Sequence, residues 1–209
     1  MTVISALQNV HVEGSFGNFE NKSENELLKI KELKNLLIVQ IVQYKNSSIK
    51  IDDINFNNLK FVNQAQKVVS NENIRVLWSS PNNWLLVSHK KELLKEIYST
   101  FNENDFAVTD LSHSKATIEL KGPHVKEVLK KGCPFNFNIL TKNMSINSAY
   151  NGISFIVDMI EDEPEKVRIF SLRSFGESLY HSITDASLEF GYKCNQLLFL
   201  SFKSRFLNK

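Results

Sequence analysis

The chain has 209 residues, 42% of them hydrophobic and 23% charged, and its formal net charge is +2. A chain of this length and composition can bury a sizeable core, which excludes a disordered segment and a small fold that depends on disulfides. Its basic residues are scattered among acids rather than aligned in a stripe, so we expect no nucleic-acid partner.

The N-terminal third begins with a polar stretch without periodicity, which predicts a mobile segment over residues 1–22. Ser23 and Glu26 then have the spacing of a capping box ahead of two leucines, which indicates the start of a helix. The run NLLIVQIVQYK is typical of a buried strand. Asn, Ser and Lys dominate residues 46–73, which predicts an irregular excursion on the surface.

The middle of the chain has the clearest periodicity. Two β-rich runs, 74–78 and 84–87, flank the turn SSPNN and predict a hairpin. A helix should follow, because five apolar residues between 93 and 101 share one helical face. FAVTDLS and KATIEL are predicted strands, and the next helix should end at Gly132 in the left-handed conformation. From Trp84 onward, this order is that of a ferredoxin-like, split βαβ unit.

The last third predicts another hairpin, in which ISFIVDMI and VRIFSLR flank the acidic turn EDEPEK, followed by a helix. Ser174 and Glu177 have capping-box spacing at its start, and Gly191 ends it. We therefore predict an α+β fold with a largely antiparallel sheet, in which residues 23–191 form a single compact unit of two intimately packed halves. Residues 192–209 are apolar and basic, which predicts a late strand or a docking tail.

The stretch DLSHSKATIELKGPHVKEVLKKGCPF concentrates reactive residue types, but their spacing does not assemble a catalytic site. Neighbouring side chains in a strand or tight turn point to opposite faces, so Ser112 and Ser114 are poorly placed for activation by His113. We expect a structural role for this histidine and expect Asp110 to accept a hydrogen bond from the amide of residue 112 or 113. Cys133 follows a helix C-terminus, where the dipole does not activate a thiolate.

Other chemical motifs are missing from the sequence. The histidines lack metal-ligand spacing, and no glycine-rich phosphate loop joins a strand to a helix. No apolar run approaches the roughly 20 residues that span a bilayer, and the N-terminus lacks a secretory signal, so we expect no membrane partner. Two cysteines without a metal-binding spacing favour the cytoplasm. By exclusion, the sequence predicts a structural or interaction role, with no catalytic, cofactor-binding or metal-binding residues in this chain.

Three blocks of the sequence, RVLWSSPNNWLLV, DLSHSKATIELKGPHVKEVLKKGCPFNF and RIFSLRSFGESLYHSITDASLEFG, resemble the gamma subunits of heterotetrameric sarcosine oxidases. They cover most of the chain from Arg75 to Gly191. The resemblance implies a folate-binding-domain fold like that of the glycine-cleavage aminomethyltransferases. It also implies a non-catalytic subunit that joins alpha, beta and delta chains in oxidative demethylation of sarcosine to glycine, with hydrogen peroxide and methylene-tetrahydrofolate formed. FAD, FMN, NAD, zinc and tetrahydrofolate are implied on the partner subunits, and none in this chain.

The alternative hypothesis is a stand-alone folate-binding or aminomethyltransferase-like protein. Related stand-alone proteins carry Lys-Gly-Cys followed by an aromatic residue and Gly-Gln-Glu, and Lys131, Gly132 and Cys133 match the first three positions. Pro134 and FNFN follow here instead, which disfavours this alternative. A generic scaffold in another assembly is a third hypothesis.

Four residues are predicted to lie at a subunit interface. His113, Ser114, Arg173 and Phe175 are at element junctions within the matching blocks, and they include residue types that are enriched in interface cores. Substrate contacts would then lie on another chain, so the substrate is either sarcosine or a related N-methyl amine.

Overall fold

The computed structural model describes residues 4–194, which form two main β-sheets, one short strand pair and three α-helices. The helices are α1 (Leu93–Thr100), α2 (Val125–Gly132) and α3 (Gly176–Ser187). None of these described helices is long and apolar enough to cross a membrane. The strands are, in chain order, β1 (Gly14–Phe16), β2 (Leu28–Glu32), β3 (Leu37–Gln43), β4 (Asn55–Phe56), β5 (Leu59–Lys60), β6 (Val68–Ser70), β7 (Ile74–Ser80), β8 (Asn83–Ser88), β9 (Phe106–Asp110), β10 (Lys115–Lys121), β11 (Ser145–Tyr150), β12 (Ile153–Asp162), β13 (Glu165–Leu172) and β14 (Tyr192–Cys194).

The larger sheet has the strand order β1-β14-β2-β10-β13-β12-β11, and its pairs are antiparallel except β14 with β2. Alternate residues of these strands are buried against α2 and α3, as in Ile118 and Leu120 of β10. The apolar faces of α2 and α3, which include Val128, Leu129 and Ile183, complete this core. The period of two in the strands and of about 3.6 in the helices therefore explains which faces meet.

The smaller sheet has the order β6-β7-β8-β3-β9 and is antiparallel throughout. The predicted hairpin is confirmed as β7 and β8, with Trp78 opposite Trp84. The predicted excursion over residues 46–73 does more than cover the surface, because Phe56 and Phe61 are buried in the core of this sheet. The sparse apolar residues of this segment thus serve as anchors against the sheet.

A third core joins the two sheets. Leu77, Leu85 and Val87 of the smaller sheet pack with Phe170 of the larger one, and Ile156 packs at the edge of the cluster. These residues alternate with residues that face the other cores, so both sheets are buried on two faces where they meet. Apolar contact across this junction holds the two sheets together.

The expectation of an α+β, sheet-rich fold is confirmed, but the ferredoxin-like unit predicted from Trp84 is divided between the sheets. β8, α1 and β9 form a split βαβ connection, with β3 between the two parallel strands. β10 and β11 belong instead to the larger sheet. The physical reason is that each strand pairs with segments distant in sequence, and local periodicity does not report which segment that is.

The segment predicted to be mobile spans residues 1–22, and its described part, residues 4–22, packs against the larger sheet. Leu7 is fully buried, and β1 pairs with β14 at the edge of the larger sheet. The predicted late strand near the C-terminus is β14, which covers only residues 192–194. The rest of the predicted strand or docking tail, residues 195–209, lies outside the described residues.

Neither predicted capping box begins a helix. The Glu26 carboxylate accepts hydrogen bonds from the Ser23 amide and hydroxyl at 2.8 and 2.6 Å, but these bonds close a turn before strand β2. Ser174 does not cap α3, which begins at Gly176 after a short 3-10 turn. Each serine and glutamate pair has the correct spacing, but the apolar period that follows Glu26 is two rather than 3.6.

Gly132 also has a different role from the one predicted. It is the last residue of α2, and its backbone is not in the left-handed region. A Cβ atom there would lie 2.5 Å from the ring of Tyr150, whose hydroxyl donates to the carbonyl of Val128. Glycine therefore allows β11 to approach the end of the helix.

Candidate subunit interface at the inter-sheet cavity

A cavity of about 520 Å³ lies beside the junction of the two sheets. Its walls come from the N-terminal segment, the connection between β2 and β3, and the turn between β9 and β10. His113 and Arg173, which the sequence predicts as interface residues, both line it. The predicted set is therefore partly brought together around one concave surface.

The Ser-His-Ser turn is fixed by its own hydrogen bonds. The Asp110 carboxylate accepts from the Ser112 amide at 2.9 Å and from its hydroxyl at 2.5 Å, which confirms the predicted turn. The Ser112 hydroxyl oxygen accepts in turn from the Ile38 amide of β3 at 3.0 Å. The Ser114 hydroxyl donates to the carbonyl of Leu111 at 3.0 Å. Since both hydroxyl protons are directed to these acceptors, neither serine is arranged as a nucleophile for the neighbouring histidine.

Arg173 connects this turn to the N-terminal segment. Its backbone amide donates to the carbonyl of Ser114 at 2.8 Å, and its guanidinium donates to the carbonyl of Ile4. Phe175 follows at the start of α3 and is 49% exposed. Ile4 and Leu172 are also exposed, at 67% and 47%. An arginine held in place among exposed apolar side chains is a composition that favours protein contact over solvent.

The cavity carries more positive than negative charge. Lys34, Lys91, Lys115 and Arg173 line it, whereas its acidic residue, Glu32, is engaged by other groups. The Glu32 carboxylate accepts from the Ser5 hydroxyl and from the Leu7 amide, and lies 3.6 Å from the Lys34 ammonium. The surplus charge makes the cavity suited to an acidic side chain or a carboxylate ligand.

Lys115 also lines an adjoining groove of about 330 Å³ and makes no salt bridge among residues 4–194. Burial lowers the pKa of its ammonium. We expect Lys115→Met to stabilise the isolated chain at neutral pH, since the variant loses a desolvated charge. Urea unfolding of this variant, with Lys45→Met at an exposed site as control, measures the effect.

The same pKa shift gives the expected effect of pH. The unfolded chain keeps the higher, ordinary pKa of lysine, so between the two pKa values it binds more protons than the folded chain. The stability of the wild type should therefore rise with pH in that window, and the advantage of Lys115→Met should shrink. A variant less stable than the wild type at pH 7 would contradict this expectation.

The two cysteines are buried and contact hydroxyl groups. The Cys133 thiol donates to the Ser148 hydroxyl at 3.2 Å, and Cys194 lies 3.1 Å from the Tyr180 hydroxyl. Burial raises the pKa of the Cys194 thiol.

Among the residues that the structure describes, no group of His, Cys, Asp and Glu is placed to hold a metal ion. The arrangement as a whole offers surfaces for binding rather than a nucleophile and a base.

Sequence reasoning missed an ion pair that joins the sheets. Arg75 of β7 donates to both carboxylate oxygens of Asp158 in β12, each at 2.7 Å. Asp158 is fully buried and the Arg75 side chain is 13% exposed. The signal was a single carboxylate within the apolar run ISFIVDMI, because a buried charge requires a partner.

Comparisons in sequence place this chain beside two curated proteins, although no protein-family model matches it. It is 28% identical over 122 residues to sarcosine oxidase subunit gamma of Corynebacterium sp. (strain P-1), covering 57% of this chain and 59% of the relative. It is 27% identical over 118 residues to the same subunit of strain U-96, covering 55% and 57%. The chain thus spans less than two thirds of the length of these relatives. The predicted resemblance to sarcosine oxidase gamma subunits is confirmed.

Comparisons in structure extend the likeness over more of the chain. A chain of heterotetrameric sarcosine oxidase from Corynebacterium sp. U-96, in complex with pyrrole 2-carboxylate, superposes with a TM-score of 0.73. The match has 19% identity and covers 90% of this chain and 95% of that one. Glycine cleavage system aminomethyltransferase T from Bartonella henselae matches with a TM-score of 0.56 and 10% identity, over 82% of this chain and 48% of that one. At these identities the likeness shows a shared fold.

Proposed function

We propose that this chain is the non-catalytic gamma subunit of a sarcosine oxidase complex, which oxidatively demethylates sarcosine to glycine with formation of hydrogen peroxide and methylene-tetrahydrofolate. The observation that carries the proposal is the sequence likeness to two gamma subunits, joined to a common fold with a chain of the heterotetramer. The partners are alpha, beta and delta chains, which hold FAD, FMN, NAD, zinc and tetrahydrofolate. The complex is cytoplasmic, and the two free, buried thiols support this compartment.

The interface of the proposed subunit is the region around Arg173. His113 and Ser114 form one side, and Phe175 and Leu172 provide exposed apolar area beside the guanidinium. Side chains of these types supply a disproportionate share of binding energy when a partner excludes water from them. The positive cavity next to this apolar rim would accept an acidic side chain of the partner.

Co-expression with the alpha, beta and delta chains of the same organism tests the proposed function. With an affinity tag on this chain, we expect the other three chains to co-purify with a flavin absorption spectrum and sarcosine-dependent formation of hydrogen peroxide. Size exclusion should show one assembly containing all four chains. An active flavoenzyme that assembles while this chain elutes as a monomer would refute the proposal.

Phe175→Ala and Arg173→Ala are expected to weaken assembly by about tenfold each, the loss typical of an interface anchor. Tyr98→Ala is the control, because Tyr98 is exposed to a similar degree, 50%, on helix α1. Recovery of the co-purified chains at a series of concentrations measures the effect. Equal recovery of all three variants and the wild type would remove this rim from the interface.

The stand-alone folate-binding protein remains a second candidate because of the positive cavity of about 520 Å³. Tetrahydrofolate carries carboxylates that Lys115 and its neighbours could bind. Calorimetric titration of the purified chain with tetrahydrofolate separates the two functions. Saturable binding by the wild type that Lys115→Met abolishes would favour this candidate, and no heat of binding would favour the subunit.

A further inference from the structure

Four lysines lie side by side across four neighbouring strands of the larger sheet. Lys193 of β14 is in register with Lys29 of β2, Lys29 with Lys121 of β10, and Lys121 with Lys166 of β13. We call these residues the lysine row. Neighbouring strands are about 4.8 Å apart, so the row extends over about 14 Å.

The lysine row lies on the sheet face opposite α2 and α3. The residues that alternate with the lysines, including Leu28, Leu120 and Val167, belong to the core under those helices. The Lys166 and Lys193 side chains are 19% and 35% exposed, and Lys29 and Lys121 are half-buried. Their ammonium groups are therefore accessible from outside the chain.

The positive charge of the lysine row is only partly neutralised within the chain. Lys193 pairs with Glu24 at 3.0 Å, and Lys166 lies 3.8 Å from Glu119 and 3.6 Å from Glu161. The two central lysines form no salt bridge with any residue between 4 and 194, although the Glu24 carboxylate that pairs with Lys193 also interacts electrostatically with Lys29. Like charges directly opposite each other on a sheet face destabilise it, so this arrangement is unfavourable in the isolated chain.

Residues 1–3 and 195–209 add no Asp or Glu side chain, and the second range adds Lys203, Arg205 and Lys209. The surplus positive charge of the row is complementary to an acidic surface of a partner molecule.

We propose that the lysine row docks an acidic α-helix of a partner protein. Carboxylates at positions i and i+4 of a helix have Cβ atoms about 5–6 Å apart, which matches the step of about 4.8 Å between the lysines. A protein partner fits better than nucleic acid, because the net charge of the chain is only +2 and its other bases are scattered. The inference rests on the proposed function to the extent that the helix belongs to another subunit of the complex.

A helical peptide with glutamates at i, i+4 and i+7 tests the row with the full chain and without the complex. Binding of the labelled peptide at low ionic strength is measured by fluorescence anisotropy for the wild type and for Lys29→Glu/Lys121→Glu. We expect saturable binding by the wild type, about tenfold weaker binding by this double variant, and loss of binding as salt is raised. Lys29→Arg/Lys121→Arg should bind like the wild type.

The control variant is Lys45→Glu/Lys50→Glu, which makes the same charge change at exposed positions outside the row. Charge reversal within the row relieves repulsion, so we expect no fall in melting temperature and no loss through misfolding. No saturable binding by the wild type, or equal weakening by the two Glu variants, would overturn the proposal. Displacement of the peptide by a lower concentration of duplex DNA would assign the row to nucleic acid instead.

The complex separates this inference from the proposed function. If Lys29→Glu/Lys121→Glu assembles with the alpha, beta and delta chains as well as Lys45→Glu/Lys50→Glu and the wild type do, the proposal for the lysine row fails and the proposed function stands. If the wild type binds the peptide through the row but does not assemble with those chains, the proposed function fails and the docking surface stands.

Discussion

Replacing Asp158 by Asn is expected to lower the free energy of unfolding by about 3–5 kcal/mol, the usual loss when one partner of a buried ion pair is removed. The carboxylate is fully buried and holds both donors of the Arg75 fork at 2.7 Å. Asparagine keeps the size but not the charge, so the guanidinium, which is 13% exposed, is left without its counter-ion. The large effect follows from this uncompensated charge.

The position of the pair adds to the expected effect. Arg75 belongs to the smaller sheet and Asp158 to the larger one, and the same guanidinium donates to the Asn143 side chain and the Met159 carbonyl at 3.2 Å each. Loss of the pair therefore loosens several hydrogen bonds between the sheets at once. We expect it to weaken the contact between sheets more than the core of either sheet.

Urea unfolding measures this prediction, with Asp52→Asn at an exposed position as the control. The double variant Arg75→Met/Asp158→Asn should be more stable than the sum of the two single losses, because neither charge is then buried alone. A loss below about 1 kcal/mol for Asp158→Asn would mean that the pair behaves like an exposed one.

Gly191→Ala is expected to lower the free energy of unfolding by about 2–5 kcal/mol, from backbone strain and overpacking together. Gly191 has φ +70°, and a Cβ atom there would lie 2.3 Å from the carbonyl oxygen of Asn18. Gly17 meets the backbone of Leu188 in the same way, at 2.2 Å from its carbonyl oxygen. The two glycines let the N-terminal segment cross the end of α3, where the Asn18 amide donates to the Leu188 carbonyl at 2.8 Å.

Gly152→Ala is the matched control for this substitution. Its φ is +83°, but a Cβ atom there would have no atom within 4 Å, so the control carries backbone strain without the clash. Thermal or urea unfolding of the two variants separates the two effects. Hydrogen exchange should also increase in β1 and in the neighbouring β14 of Gly191→Ala. Equal losses for the two variants would show that close backbone contact at Gly191 contributes nothing.

Local patterns in the sequence predicted the elements that depend on neighbouring residues. The hairpin of β7 and β8, the helices α1 and α2, and the Asp110 turn all follow from periods and turn chemistry within about ten residues. Two of the three blocks that indicated the gamma-subunit resemblance come from these regions, and the third covers the end of β13 and helix α3. In these regions the local sequence preferences agree with the final fold, so the secondary structure can be predicted from the sequence alone.

Errors arose where a distant segment decided the outcome. The Glu26 carboxylate accepts from the Ser23 amide, which is one of the two bonds of a capping box, yet the following residues pair with β10 and become strand β2. The sequence of residues 4–22 has few apolar anchors, but Leu7 is buried in a core that consists mostly of residues more than 100 positions away. Gly132 has the sequence position of a left-handed helix cap, but the structure requires glycine there because a side chain would collide with the ring of Tyr150.

The sequence by itself determined the class of fold, most element types and the family resemblance, because periodicity and turn residues act over short distances. Only the tertiary structure decided which strands share a sheet, since pairing of β2 with β10 and β14 joins distant segments. It also decided the Arg75 and Asp158 contact and the alignment of the lysine row. The first is a contact between two sheets and the second a register within one sheet, and both join segments far apart in the chain.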